Sequence, residues 1–109
     1  SWAGMIESFL ASRGNLVGAL IVMDCRREWT EDEALLVRFL QKIRRPVAAV
    51  LTKSDKLNRS EEAKIRQKFL KLRGVSAIYF VSSLKRTGIK ELEEGIYKAW
   101  ISTASENEA

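Results

Sequence analysis

Three short apolar runs alternate along the chain with segments of helical spacing, and this alternation limits the fold more than any other feature. The runs are residues 16–23, 47–51 and 77–81, the last within a predicted strand 76–81. Unbroken apolar runs of this length are typical of strands that are buried on both faces. Strands separated by helices pair in parallel through right-handed crossovers. The sequence therefore predicts an α/β fold: a three-layer parallel sheet with its strands in sequence order and the element order α-β-α-β-α-β-α.

Capping and breaking residues mark the helices of this pattern. Thr30 and Glu33 form a capping pair before one helix, which Pro46 ends. Ser60 is the predicted N-cap of the next helix, which ends at Gly74. The last helix is marked by Ile89, Leu92, Ile96 and Trp100. The first helix is predicted from Trp2, Met5, Ile6, Phe9 and Leu10, with Gly14 as its stop.

The run 16–23 carries no charge, proline or bulge signal, which is unusual for a strand at the edge of a sheet. We expect that it pairs with strands that precede Ser1, so that residues 1–109 form one partial domain. The polar tail, 103–109, is expected to be frayed. With no such partner, strand 16–23 lies unpaired at one edge, which favours dimerisation of this chain.

The composition excludes several kinds of site. The chain has 109 residues, no histidine and one cysteine, Cys25. His-based catalysis, the usual zinc sites and an internal disulfide are therefore excluded, and a reducing cytoplasm is the expected location. No apolar run reaches the roughly 20 residues of a membrane helix, so we expect no membrane contact. We expect neither catalytic nor metal-binding residues in this chain.

A basic balance permits contact with nucleic acid. The net charge is +5, and such an excess attracts polyanions without proving that they bind. The basic residues form three clusters: Arg26 with Arg27, Arg44 with Arg45, and the helical row Lys64, Lys68 and Lys71. A solvated helix surface, with basic residues that complement the helix dipole, is the favoured explanation of the row over contact with ribosomal RNA.

Polar segments end the second and third apolar runs. Thr52-Lys53-Ser54-Asp55 follows residues 47–51, and Ser82-Ser83-Leu84-Lys85 follows residues 76–81. Because the carboxyl ends of neighbouring parallel strands are where open α/β sheets bind ligands, these two segments are the candidate site. An ordinary polar turn before a helix is the alternative interpretation of the first segment.

The residue types suit a guanine base. Asp55 can accept hydrogen bonds from the N1–H and N2–H₂ groups of guanine, a donor pair that adenine lacks. Lys53 can lay its alkyl stem along the base plane, and Lys56 can cover another part of the base or the ribose. Thr52 is expected to tie the loop to neighbouring backbone. Across the site, a backbone N–H near Ser83 can donate to O6, Ser82 can brace the turn and Leu84 lines the same side.

Thr-Lys-x-Asp after one strand and Ser-Ser-Leu-Lys after the next resemble the fourth and fifth GTP-binding motifs of translation-factor-type P-loop GTPases. The residues in and around these motifs are most similar to those of the EngB (YihA/YsxC) family of bacterial GTP-binding proteins. Segments 22–26, 51–57 and 81–85, followed by Gly88, carry this similarity. The resemblance implies the C-terminal half of a GTPase domain that binds GTP or GDP with Mg²⁺. It also implies a role in large ribosomal subunit assembly, with ribosomal RNA as a partner, and in cell division and septation.

The phosphate-binding motifs of that family are absent from the sequence. None of the six glycines lies in a G-x-x-x-x-G-K-[ST] pattern, and no aspartate is followed by glycine three residues later. We expect both elements, and the Mg²⁺ ligands, to precede Ser1. Phosphoryl transfer depends on charge stabilisation around the γ-phosphate. This chain alone is therefore expected to be inactive as a GTPase and to bind GTP weakly.

Two alternatives stay open at the level of sequence. The first is a nucleotide-independent RNA- or ribosome-binding α/β module that uses the lysine row. The second is a phosphoacceptor receiver domain, which the strand-end positions of Asp24, Thr52 and Lys85 resemble. A receiver needs an acidic cluster before its first strand, and residues 1–15 contain a single acidic residue, Glu7. Asp24 is therefore expected to brace the loop that follows it.

Overall fold

One four-stranded sheet forms the centre of the molecule. The computed structural model describes the backbone of residues 5–10 and 16–101 and the side chains of residues 18–100. The strands are β1 (Met5–Leu10), β2 (Leu16–Asp24), β3 (Val47–Thr52) and β4 (Val75–Phe80), and they lie in the order β1-β2-β3-β4. β2, β3 and β4 pair in parallel, and this confirms the predicted parallel α/β fold.

Helices cover both faces of this sheet. They are α1 (Glu31–Lys42), α2 (Arg59–Leu70) and α3 (Ile89–Ile96), which continues as a π-helical turn, Tyr97–Ile101. On β3, the side chains of Val47, Ala49 and Leu51 enter a core cluster with residues of α1 and α2, whereas those of Ala48 and Val50 enter a second cluster with residues of α3. Both faces of the strand are therefore buried from Val47 to Leu51, which explains why this stretch is apolar.

The first predicted element is wrong, because residues 5–10 form a strand and not a helix. β1 pairs antiparallel with β2, from Met5 opposite Val22 to Leu10 opposite Leu16. The unpaired backbone groups along β2 need partners, and pairing supplies them, so tertiary context overrides the helical spacing. Strand 16–23 is therefore neither at the sheet edge nor unpaired, which removes the basis for the predicted dimerisation. Trp2, Gly14 and the tail lie outside the described residues.

Side-chain hydrogen bonds cap the first turns of α1 and α2. Before α1, the Glu33 carboxylate accepts hydrogen bonds from the backbone N–H and the hydroxyl of Thr30, both at 2.7 Å, as predicted. α2 begins earlier than predicted, and its N-cap is Asn58, not Ser60. Asn58 Oδ1 accepts from the Glu61 backbone N–H at 2.8 Å, and Glu61 Oε1 accepts from the Asn58 N–H at 2.9 Å. This pair satisfies two free donors at once, which Ser60 alone cannot do.

Trp100 fixes the last helical segment against the sheet. A Cβ atom on Gly18 of β2 would lie 2.6 Å from the Trp100 ring, so only glycine allows the ring to lie against this strand. Trp100 itself is buried.

Among the helices that the structure describes, none combines the length and the apolar character needed to cross a membrane.

Candidate functional site

The carboxyl ends of β2, β3 and β4 meet at one edge of the sheet. Asp24 of β2 lies opposite Thr52 of β3, and the Cys25 backbone N–H donates to the Thr52 carbonyl at 2.9 Å. On the other side, the Val81 N–H donates to the Leu51 carbonyl at 2.9 Å. The loops that leave these three strands, 24–27, 52–57 and 81–87, are therefore neighbours. We refer to residues 52–57 as the central loop.

The central loop changes direction directly after β3. Lys53 has a left-handed backbone, with φ of 59°, and a short 3-10 turn, Ser54–Lys56, follows it. The Ser54 N–H donates to the Val81 carbonyl at 3.0 Å. A left-handed backbone is strained for a residue with a side chain. The contacts to the end of β4 therefore hold the loop in a conformation that the local sequence does not favour.

Asp55 is held by a buried hydroxyl. Ser82, which is only 1% exposed, donates from Oγ to Asp55 Oδ1 at 2.6 Å and accepts from the Lys85 backbone N–H at 3.0 Å. The Ser82 hydrogen bond, helped by the charges of Lys56 and Lys85, lowers the pKa of Asp55. Within the described part of the chain, Asp55 Oδ2 has no hydrogen-bond partner. The loop therefore presents an ionised carboxylate with one oxygen fixed and the other available.

Thr52 and Lys53 join the central loop to β2. The Thr52 hydroxyl donates to the Met23 carbonyl at 3.2 Å, and the Cys25 thiol donates to the Lys53 carbonyl at 3.3 Å. Lys53 Nζ lies 3.8 Å from Asp24 Oδ2. Burial raises the pKa of the Cys25 thiol, which keeps it in the neutral form that can donate this hydrogen bond.

The other three predicted site residues lie on the rim. Lys56, Ser83 and Leu84 are exposed, and Leu84 has 74% of its surface open to solvent. Residues 83–86 form the tip of a loop that an antiparallel bridge between Ser82 and Thr87 closes. The structure thus brings Asp55 and Ser82 into direct contact, and it places Thr52 and Lys53 against the end of β2. It leaves Lys56, Ser83 and Leu84 at the surface beside them.

The sequence predicted only part of what the turn after β2 contributes to the site. It predicted that Asp24 braces this loop, which is confirmed: Asp24 Oδ1 accepts from the backbone N–H and Nε of Arg26 at 2.9 and 3.1 Å, and Oδ2 accepts from Nη2 at 2.9 Å. These hydrogen bonds hold the pKa of Asp24 well below its usual range. The contacts of Asp24 and Cys25 to Lys53 were not predicted. Their only signal was the position of both residues at the end of an apolar run.

The described residues contain no cluster of side chains that could by itself hold a metal ion. Residues 5–10 and 16–101 contain no group of three or more Cys, Asp or Glu side chains that could hold one. The acidic side chain nearest to the central loop on β2, Asp24, is engaged by Arg26 and Lys53. The Mg²⁺ that the resemblance implies therefore has no candidate ligand set among these residues.

Three parallel strands with helices on both faces, and a Thr-Lys-x-Asp loop between two other strand-end loops, are an arrangement consistent with part of a P-loop GTPase domain. The model of the PduV-EutP family, described as ethanolamine utilisation and propanediol utilisation, matches residues 11–98. The chain belongs to this family of P-loop GTPase-like proteins. It is also similar to EngB proteins, as the sequence resemblance implied, over about half of their length.

Curated relatives from several bacteria carry the name "Probable GTP-binding protein EngB" and support the same conclusion. The protein from Bdellovibrio bacteriovorus is 47% identical over 92% of this chain and 50% of its own length. The protein from Caldanaerobacter subterraneus is 38% identical over 84% of this chain and 48% of its own length. The protein from Clostridioides difficile is 34% identical over 87% of this chain and 48% of its own length. The chain spans about half the length of the curated relatives it matches.

Proposed function

We propose that this chain forms the guanine-recognition half of a GTP-binding protein of the EngB type. The observation that carries the proposal is the fixed carboxylate of Asp55. Its Oδ1 atom is held at 2.6 Å by the buried Ser82 hydroxyl, while Oδ2 has no hydrogen-bond partner among the described residues. A bidentate contact needs a carboxylate whose orientation is set before the ligand arrives.

The proposed site uses each of the predicted residues. The Asp55 carboxylate accepts from N1–H and N2–H₂ of guanine, and Lys53 lays its stem along the base. Thr52 and Ser82 hold the two loops in place through their hydroxyls. Lys56, Ser83 and Leu84 form the rim, where a backbone N–H near Ser83 donates to O6 and the exposed Leu84 side chain covers apolar surface of the base.

Hydrolysis and the biological role are proposals about the complete protein. GTP hydrolysis and Mg²⁺ binding are implied by the EngB resemblance, whereas this chain has no P-loop sequence and its described residues hold no acidic cluster for the ion. We propose that the complete protein acts in the cytoplasm in large ribosomal subunit assembly and cell division. The lone, buried Cys25 favours that location, because cytoplasmic thiols stay reduced.

The proposal is tested by base selectivity, which nucleosides isolate from phosphate contacts. We expect guanosine to shift the amide NMR signals of residues 54–56 and 82–85 at millimolar concentration. Inosine, which lacks the N2 amino group, is expected to bind more weakly because one of the two hydrogen bonds is lost, and adenosine is expected not to bind. Asp55→Asn is expected to reverse the preference in favour of xanthosine, because an amide can donate to the xanthine O2 atom.

The matched control is Asp32→Asn, which removes one exposed carboxylate from the first turn of α1 and is expected to leave the preference for guanosine unchanged. Equal shifts with adenosine and guanosine in the unmodified chain would contradict the proposal. So would an Asp55→Asn variant that loses guanosine without gaining xanthosine.

A second candidate function is binding of RNA or the ribosome without nucleotide. The observation that favours it is the surface of α2 and its C-cap, where Lys64 and Lys71 are exposed and make no ion pair within the described part of the chain. Lys68, between them, lies 3.6 Å from Glu28. Free lysines on one helix face can neutralise phosphates without reading sequence. If this second function holds, GDP is expected to leave binding of RNA or the ribosome unchanged.

A further inference from the structure

The carboxylate of Asp24 is shared by two cations, and only one of them belongs to the proposed base site. Arg26 takes both oxygens, at 2.9 and 3.1 Å on Oδ1 and 2.9 Å on Oδ2. Lys53 approaches the same Oδ2 atom from the central loop at 3.8 Å. One acceptor oxygen therefore faces a close guanidinium and a more distant ammonium.

Lys53 and its neighbour Thr52 are held at three points by residues 23–25, at the end of β2. The Lys53 carbonyl accepts from the Cys25 thiol at 3.3 Å, its ammonium faces Asp24, and the preceding residue, Thr52, is bonded to the Met23 carbonyl. The side chain of Lys53 is otherwise exposed, with 63% of its surface open to solvent. An exposed lysine without a partner samples many rotamers, and ordering it on binding costs conformational entropy.

We propose that Asp24 is a positioning residue for the base site: it holds the Lys53 ammonium so that the lysine stem lies along the base, and Arg26 competes for the same carboxylate and thereby weakens this hold. The inference rests on the proposed function, because it assigns to Asp24 an effect on the base that Lys53 contacts. Asp24 itself touches neither the base nor the phosphates in this scheme.

The competition predicts effects of opposite sign. Asp24→Asn removes the charge that attracts Lys53, so guanosine binding is expected to weaken. Arg26→Gln leaves Lys53 as the one cation near the carboxylate among the described residues, so guanosine binding is expected to strengthen. If the turn after β2 only stabilised the loop, both substitutions would break the same Asp24–Arg26 contacts and would weaken binding together. The sign of the Arg26→Gln effect therefore separates positioning from simple bracing.

The experiment is a guanosine titration followed by amide NMR shifts, with Lys53→Met as the second axis of a double-mutant cycle. Methionine keeps an unbranched stem but removes the ammonium. We expect Asp24→Asn to raise the Kd for guanosine roughly two- to fivefold, the range of an exposed ion pair, and Arg26→Gln to lower it by a smaller factor. Both effects are expected to disappear in the Lys53→Met background, because the group that transmits them is gone.

The result that overturns the inference is a guanosine site that depends on Asp55 but is indifferent to Asp24→Asn. Equal weakening by Asp24→Asn and Arg26→Gln, or effects that persist in the Lys53→Met background, overturn it as well. If the unmodified chain shows no preference for guanosine, the proposed function fails first. The ion pair is then tested alone: Lys53→Met is expected to raise the pKa of Asp24 in a ¹³C carboxyl titration of the free chain, and an unchanged value would show that the ion pair does not form.

Discussion

Ser82 and Asp55 show how one buried hydroxyl can set the properties of a surface carboxylate. Ser82 Oγ donates to Asp55 and accepts from the Lys85 N–H, so its hydrogen cannot rotate elsewhere without leaving the carboxylate unpaired. The lowered pKa of Asp55 follows mainly from this bond. A group whose pKa is lowered by folding stabilises the folded state above its ordinary pKa, and that contribution is lost as the pH falls through the folded pKa.

Ser82→Ala is therefore expected to raise the pKa of Asp55 towards its ordinary value of about 3.9. The part of the destabilisation that comes through Asp55 is present at pH 7 and shrinks as Asp55 becomes protonated, below about pH 4. A ¹³C carboxyl titration and urea unfolding at pH 7 and pH 3 measure the two effects. Ser83→Ala, at an exposed position of the same loop, is the control. An unchanged Asp55 pKa in Ser82→Ala would contradict the assignment.

The convergence of these site residues could be predicted from the sequence, but the contacts of the turn after β2 could not. Asp55 and Ser82 follow consecutive parallel strands, so topology alone brings their loops together. Topology alone does not bring Asp24 to Lys53, because this contact depends in addition on the left-handed backbone of Lys53 and on the rotamers of both side chains. Neither is encoded in a spacing pattern, so a lysine–carboxylate contact between residues 24 and 53 is visible only in three dimensions.

At the scale of the elements, the start of α2 gives a sharp comparison between the predicted and the observed cap. Asn58 exchanges two hydrogen bonds with Glu61, whereas Ser60 lies in the first turn of the helix. Asn58→Ala is expected to lower the free energy of unfolding by about 1 kcal/mol. Ser60→Ala is expected to change it by less than about 0.5 kcal/mol. Urea denaturation of the two variants measures both, and a larger loss in Ser60→Ala would show that the helix begins later.

β1 shows where local pattern fails as a guide to an element. Apolar residues at positions 5, 6, 9 and 10 have helical spacing, yet the segment pairs with β2 along six residues. The deciding partner is a neighbouring strand whose backbone needs hydrogen bonds, and strand formation depends on such context more than helix formation does. The parallel strands were predictable because each is bounded by a helix with clear capping or breaking residues and is apolar on both faces.

At the scale of the whole molecule, the net charge of +5 is distributed over surfaces that differ in how far they are neutralised. On α2, Arg66 pairs with Glu62 and Lys68 with Glu28, while Lys64 and Lys71 make no ion pair within the described residues. If the second candidate function holds, the unpaired lysines contribute most to binding of polyanions. Their contribution is visible as salt dependence, since each phosphate that is neutralised releases a counterion.

The double substitution Lys64→Gln and Lys71→Gln is expected to reduce the slope of log K against log salt by about 1.5 for binding of a ribosomal RNA fragment. Lys90→Gln with Lys98→Gln removes the same charge from the last helical segment and is the matched control. Fluorescence anisotropy at several salt concentrations, with and without GDP, measures the slopes. Equal reductions in the two variants would indicate a general effect of net charge and would argue against a binding surface on α2.

The bond from the Ser54 N–H to the Val81 carbonyl ties the central loop to the outermost strand of the described sheet. Strands at a sheet boundary detach more readily than central ones, and backbone amides exchange their hydrogens with solvent only when such bonds open. The amides of Ser54 and Val81 are therefore expected to exchange with a common free energy of opening, which is the free energy needed to separate β4 from β3. The stability of the assembled loop is in this sense a property of the sheet margin and not of the loop.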